Sequence, residues 1–142
     1  NPDYHRFIVD FCASGRDWID ILPMQVGTDK ANLLGRFRYG LSACCIEGFG
    51  IGTAEMAAAG IIMLVPEGTG QDDIVYDSRQ RYSTEKEATV RLLELENNYA
   101  LQVQRHESMR DIGSRFLPQQ QLDRVKLLCK DMLRNKNMRR NS

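Results

Sequence analysis

Residues 47–60 read EGFGIGTAEMAAAG: two glutamates with seven residues between them, glycines at 48, 50 and 52, then an alanine-rich run closed by Gly60. The stretch lies between two short apolar runs, LSACC at 41–45 and IIMLV at 61–65. Apolar runs of that length, bounded by turn residues, read as buried strands. The alanine-rich part reads as a helix over about 51–59 with Gly60 as its stop. A strand, a glycine turn, one helix and a second strand make a βαβ unit with parallel strands. The expected fold class is therefore α/β, a Rossmann-like parallel sheet.

Working outward, Phe7 to Cys12 is apolar and fits either a helix end or a strand. WIDIL, Trp18 to Leu22, alternates and is bounded by Pro23, which predicts a short strand with Trp18 packed in the core. Thr28 is a candidate N-cap for a helix through DKANLLGRFRY, with Leu33, Leu34 and Phe37 as its apolar face and Gly40 as its stop. Past Pro66 the pattern changes. Asp72 and Asp73 read as a helix start after Gly70. TEKE at 84–87 is a capping box, Thr84 with Glu87, that opens a helix to about Glu96. A further helix is expected from Tyr99 to Ile112. The last begins near Pro118 and carries Leu122, Val125, Leu128 and Met132 at helical spacing. The chain thus divides into an α/β part at 1–83, a helical part at 84–134 and a basic tail at 135–142 that reads as solvated and frayed.

The 142 residues fit one domain with well over half of the unfolded surface buried. Lys+Arg and Asp+Glu both total 19, so charge gives no reason to expect nucleic acid as a partner. Cys12, Cys44, Cys45 and Cys129 form no CxxC spacing and only two histidines accompany them, so no metal site is expected. Cys44 and Cys45 are adjacent, poor geometry for a mutual disulfide, and all four read as reduced. No apolar run approaches the ~20 residues that span a bilayer. The chain starts NPDYHRF without an initiating Met and reads as a piece of something longer.

The placement of the opening stretch suggests chemistry. Glu47 would fall just past the carboxyl end of a parallel strand, where open α/β sheets bind ligands. Gly48, Gly50 and Gly52 would let backbone approach a ligand, and the helix N-terminus would offer free N–H groups to a phosphate. Glu55, one turn into the helix, could accept hydrogen bonds from the vicinal hydroxyls of a ribose. On the residues alone a plainer reading stands beside this one: a tight βα turn whose Glu complements the helix dipole.

Glu47, Gly48, Phe49, Gly50, Ile51, Glu55, Ala58 and Gly60 resemble the E-x7-E motif of the large retaining GT-B glycosyltransferase family, roughly E-G-F-G-(L/I)-x-x-x-E-(A/C)-M-A-x-G. The strand IIMLV and the loop PEGTGQDDIV follow where that family has an apolar strand and a glycine-bearing turn. Phe49 to Glu55, the AAG at 58–60, DIV at 73–75 and SRF at 114–116 are most similar to its alpha-1,2-mannosyltransferases, which extend the dolichol-linked oligosaccharide on the cytosolic face of the endoplasmic reticulum. The resemblance covers about residues 17 to 134. Met56 and Ala57 depart from the pattern, and the loop EGTGQ is one residue shorter.

The resemblance implies the C-terminal, donor-binding half of a GT-B fold, holding a nucleotide-sugar (GDP-mannose within that subfamily) without a metal. Glu47 would be the catalytic residue at the donor sugar. Gly48 and the amides of Phe49, Gly50 and Ile51 would hold sugar and diphosphate, and Glu55 the ribose. The implied partners are an N-terminal acceptor domain and a lipid-linked glycan at a membrane surface. A domain that kept the fold and serves as a scaffold is the alternative. Lys30, Arg36 and Arg38 read as a solvated helix face, and His5 and His106 as surface residues.

Overall fold

A computed structural model of the chain describes residues 2–15 and 18–138. They divide into two compact units, residues 1–32 and 33–142. In the first, α1 spans Pro2–Ala13. The apolar run at 7–12 is thus helical, with the rings of Phe7 and Phe11, four residues apart, 6.1 Å from one another. WIDIL is not a strand: residues 19–26 carry no ladder, and Trp18 is 76% exposed rather than in a core. Alternation needs a neighbouring strand to become a ladder, and none pairs with this stretch among the described residues.

Helix α2 spans Gly27–Leu34 and stops well short of Gly40. The N–H groups of Arg36 and Phe37 donate to the carbonyls of Leu33 and Leu34, a tightened last turn that turns the chain out of the helix. Arg36 and Arg38 therefore follow the helix instead of forming its solvated face. Gly40, expected as a helix stop, sits inside strand β1, Tyr39–Leu41. The strand expected at 41–45 is displaced toward the N-terminus: only Leu41 of that run is in β1, and Cys44 and Cys45 are exposed loop residues. Pairing decides this, because the register Tyr39↔Ile62, Gly40↔Met63, Leu41↔Leu64 runs out at Leu41.

The second unit is α/β. Helix α3, Ile51–Ala58, follows the glycine turn, and Gly60, at φ 83°, ends it as the sequence predicts. Strand β2, Ile62–Pro66, is buried at every position. After a 3-10 turn at Gly70–Asp73 and another at Ser78–Gln80 comes the two-residue strand β3, Arg81–Tyr82. The sheet order is β1-β2-β3 and both pairings are parallel.

Helices α4 (Glu85–Glu96), α5 (Tyr99–Ser114) and α6 (Pro118–Met138) follow, so the chain is a Rossmann-like parallel sheet with C-terminal helices. Thr84 accepts from the Glu87 N–H, but the reciprocal bond of the box shifts by one residue: the Glu87 carboxylate accepts from the Ser83 N–H at 2.8 Å. That bond and the Arg91 guanidinium hold the Glu87 carboxyl below its usual range.

Alternation along β2 explains why IIMLV has no polar member. Ile61, Met63 and Val65 join Ala54 and Ala57 of α3, Ile74, Val75, and Met109 and Ile112 of α5 in one core. Ile62 and Leu64 join Leu95 of α4, with Tyr39, Tyr82 and Leu101 against them, in the other. Each of these large side chains contributes on the order of 2 kcal/mol by leaving water. Helix α6 is different. Leu122, Val125 and Leu128 lie at 48%, 54% and 62% exposure, so the expected apolar stripe is not packed. The side chain of Met132 and residues 139–142 of the expected basic tail lie outside what is described.

The long connection from β2 to β3 is held by charge. Arg105 of α5 is buried and ion-paired with Asp77, which also accepts from the Arg79 Nε at 3.1 Å and caps the turn at Ser78–Gln80. Arg81 donates to the carbonyls of Val75 and Tyr76, both at 2.8 Å. Burial alone would push the Asp77 carboxyl up; the bonds from Arg79 and the charges of Arg105 and Arg79 outweigh it and hold it below the usual carboxylate range. A carboxyl lowered by folding stabilises above its unfolded pKa, and that stabilisation is lost as pH falls through the folded one. Urea unfolding should therefore show a midpoint that drops below about pH 4. Asp77→Asn should lose this component and cost about 3 kcal/mol at pH 7, because Arg105 is left buried without its counter-charge.

Candidate functional site

The site is assembled where the sheet ends. Ser42, directly after β1, donates its N–H to the Leu64 carbonyl at 2.9 Å and accepts from the Tyr82 hydroxyl, which ties the segment to β2 and β3. Burial, with Cys45 and Glu85 nearby, pushes the Tyr82 phenol up, so it stays protonated as that donor. Residues 43–50 then cross the carboxyl end of the strands before α3 begins.

Gly50 is the N-cap of α3, at φ 87° and ψ 60°, and no side chain caps it. The first N–H groups of α3 lack the hydrogen-bonded side chain that usually covers a helix start. Glu47 is half-buried, its carbonyl accepts from the Gly70 N–H at 2.8 Å, and its carboxylate accepts from the Phe49 N–H at 3.3 Å. Gly48 and Gly52 are exposed, while Gly50 is buried. The loop after β2 presses on this turn. A methyl group on Gly70 would lie 1.9 Å from the Gly48 carbonyl oxygen, so only glycine permits the approach.

Beside the turn is a cavity of about 620 Å³. Phe49, Ile51, Ala54, Glu55 and Ala58 form one wall; Phe116, Gln121 and Arg124 are on the facing one. The Phe49 and Phe116 rings meet edge to face at 5.5 Å and 70°. The sequence reading sets Glu47 at the sugar and Glu55 at the ribose of one ligand. The structure puts Glu55, Phe49 and Ile51 on this cavity, while Glu47, Gly48 and Gly50 do not line it, and Glu47 folds its carboxylate back onto its own turn. What is brought together is an aromatic and aliphatic floor, one carboxylate and one guanidinium, next to the uncapped start of a helix. Such a space can take a flat or aliphatic body with hydroxyls toward Glu55 and negative charge toward Arg124.

Several residues of the site escape a sequence reading. Gln71, 1% exposed, accepts from the Thr53 hydroxyl at 2.6 Å and donates to the Cys44 carbonyl at 3.3 Å. Neither Gln71 nor Thr53 belongs to a periodic pattern. Phe116 lies in the SRF stretch, but nothing there signals contact with Phe49, 67 positions away. His106 is exposed, as the sequence predicts, and its Nδ1 lies 2.7 Å from the Gly60 carbonyl outside this cavity. Among the described residues no group of three or more His, Cys, Asp or Glu is placed to bind a metal, and no helix is long and apolar enough to cross a membrane.

No protein-family model, curated protein or solved structure matches the chain. The geometry at the glycine turn makes its own demand. Gly70→Ala should force the turn and the loop apart and destabilise the protein by about 3 kcal/mol, read from chemical denaturation, since the obstructing atom is backbone that no rotamer change can move.

Proposed function

We propose that this chain is the donor-binding part of a retaining GT-B glycosyltransferase. It would move a hexose, mannose from GDP-mannose in the reading the motif favours, onto a lipid-linked glycan at the endoplasmic reticulum surface. The observation that carries this is the uncapped start of α3 at the carboxyl end of parallel strands, reached through a glycine-rich turn and bracketed by Glu47 and Glu55. In a retaining transfer, positive charge grows on the sugar and negative charge on the departing diphosphate. Free N–H groups and the positive end of the α3 dipole suit the second.

Within this reading each residue has a part. The Gly50 and Ile51 amides would meet the diphosphate, and Glu55 would accept from ribose hydroxyls at the cavity wall. A phosphate oxygen arriving at the Phe49 N–H would displace the Glu47 carboxylate that now accepts from it. The freed carboxylate could then bond the sugar hydroxyls or steady the oxocarbenium-like state. An acceptor domain on the N-terminal side would complete the cleft. Neither a metal nor nucleic acid enters this scheme.

A second reading has an observation in its favour. Glu47 does not line the cavity that Glu55 lines, as would suit a domain that kept the fold as a scaffold and lost the transfer chemistry. Calorimetric titration with GDP-mannose and UDP-glucose, and a transfer assay on protein that includes the upstream half, separate the two. Under the transferase reading GDP-mannose binds, Glu55→Gln weakens binding about tenfold through the lost hydroxyl bonds, and Glu47→Gln cuts transfer at least about a hundredfold. Absence of heat with either donor would leave the scaffold reading standing.

A further inference from the structure

The β1–α3 segment and the loop after β2 are separate stretches that must hold one another. Their meeting is built around Gln71. The side chain is fully buried and both of its polar atoms are used: Oε1 accepts from the Thr53 hydroxyl at 2.6 Å, and Nε2 donates to the Cys44 carbonyl at 3.3 Å. Cys44 lies on the approach to the glycine turn and Thr53 in the first turn of α3, so one amide grips both ends of the span that contains Glu47, Phe49 and Gly50. Its methylene packs against the turn itself, since a methyl group on Gly50 would fall 2.7 Å from the Gln71 Cγ. Thr53, which supplies the hydroxyl, is 4% exposed.

No other side chain type fits this post. A carboxylate would set an oxygen against the Cys44 carbonyl, and an aliphatic side chain would leave the buried Thr53 hydroxyl without its acceptor and that carbonyl without this donor. Gly50 has a left-handed backbone, which glycine by itself leaves free to adopt other conformations. Something outside the turn must therefore select the conformation that leaves the α3 start uncapped.

We propose that Gln71 is the positioning residue of the donor site: its side-chain amide, through Thr53 and Cys44, sets the turn that presents the Gly50 and Ile51 amides. This rests on the donor-binding reading for its ligand, while the positioning itself is a property of the free chain. A lock of this kind acts locally, so its loss should loosen the turn without loosening β2.

Hydrogen exchange of the full chain, read amide by amide by NMR, and calorimetry with GDP-mannose test it together. In Gln71→Met and Thr53→Val, exchange at Ala54 and Gly70, whose N–H groups bond to the Gly50 and Glu47 carbonyls of the turn, should rise about tenfold while β2 keeps its protection. The dissociation constant for GDP-mannose should rise about tenfold with it. Thr53→Ser, which keeps the hydroxyl, should stay within about twofold of the wild type on both measures. Unchanged exchange at the turn in both variants would overturn the inference. So would loss of protection at β2 to the same extent, or failure of both variants to fold, because Gln71 would then be one more core residue. If the wild-type chain binds no GDP-mannose, the donor reading falls, and the exchange pattern alone decides whether Gln71 positions the turn.

Discussion

Burial of strand β2 on both faces places everything else in the α/β unit. Ile62 and Leu64 pack toward α4 while Met63 and Val65 pack toward α3 and α5, and every residue of the strand is inside. A strand covered on both sides has to be apolar throughout, and it has to satisfy its backbone with neighbours on both edges. That requirement draws in Tyr39–Leu41 on one side and Arg81–Tyr82 on the other. The helices are the layers that keep water from the two faces. Met109 and Ile112 of α5 and Leu95 of α4 are buried for that reason and not because their helices are especially apolar.

With β2 in place, the chain must leave its carboxyl end and the carboxyl end of β1 within the same small volume. Two loops meet there, 42–50 and 67–72, and the crowding is resolved with glycine and one buried amide. Gly70 lets backbone touch backbone at Gly48, and Gln71 uses its donor and its acceptor on two different segments. The constraint that builds the sheet therefore also produces the exposed helix start. An uncapped N-terminus is a small local cost, and a Ser, Thr or Asp in place of Gly50 would meet a left-handed backbone and the Gln71 Cγ. The uncapped start at the mouth of a cavity that carries Glu55 and Arg124 is what directs attention to an anionic, hydroxylated ligand.

Much of this was legible before any coordinates. The run of five apolar residues at 61–65, the alanine-rich helix stopped by Gly60 and the parallel pairing follow from patterns that depend on near neighbours in sequence. The same holds for Thr84 capping α4 and for Pro118 opening α6. Other elements were not legible. The helix with Leu33 and Leu34 could have run on to Gly40 by its own propensity, and was cut at Leu34 because Tyr39–Leu41 gain more by pairing with β2. WIDIL alternates as a strand should, yet has no partner to pair with among the described residues. The stripe at Leu122, Val125 and Leu128 is helical as read, but spacing states which residues share a face and not what covers it.

The candidate site divides in the same way. By itself the amino-acid order determined the glycine turn, its two glutamates and the helix start behind it, since these lie within fourteen consecutive residues and obey local rules. Only the tertiary structure decided which carboxylate meets which space. Glu55 reaches the cavity because α5 and α6 return to face α3, while the Gly70 loop holds the Glu47 carbonyl in a turn whose own Phe49 N–H takes the carboxylate. Those contacts join residues tens of positions apart, and no repeat or spacing in a sequence records where distant segments will touch.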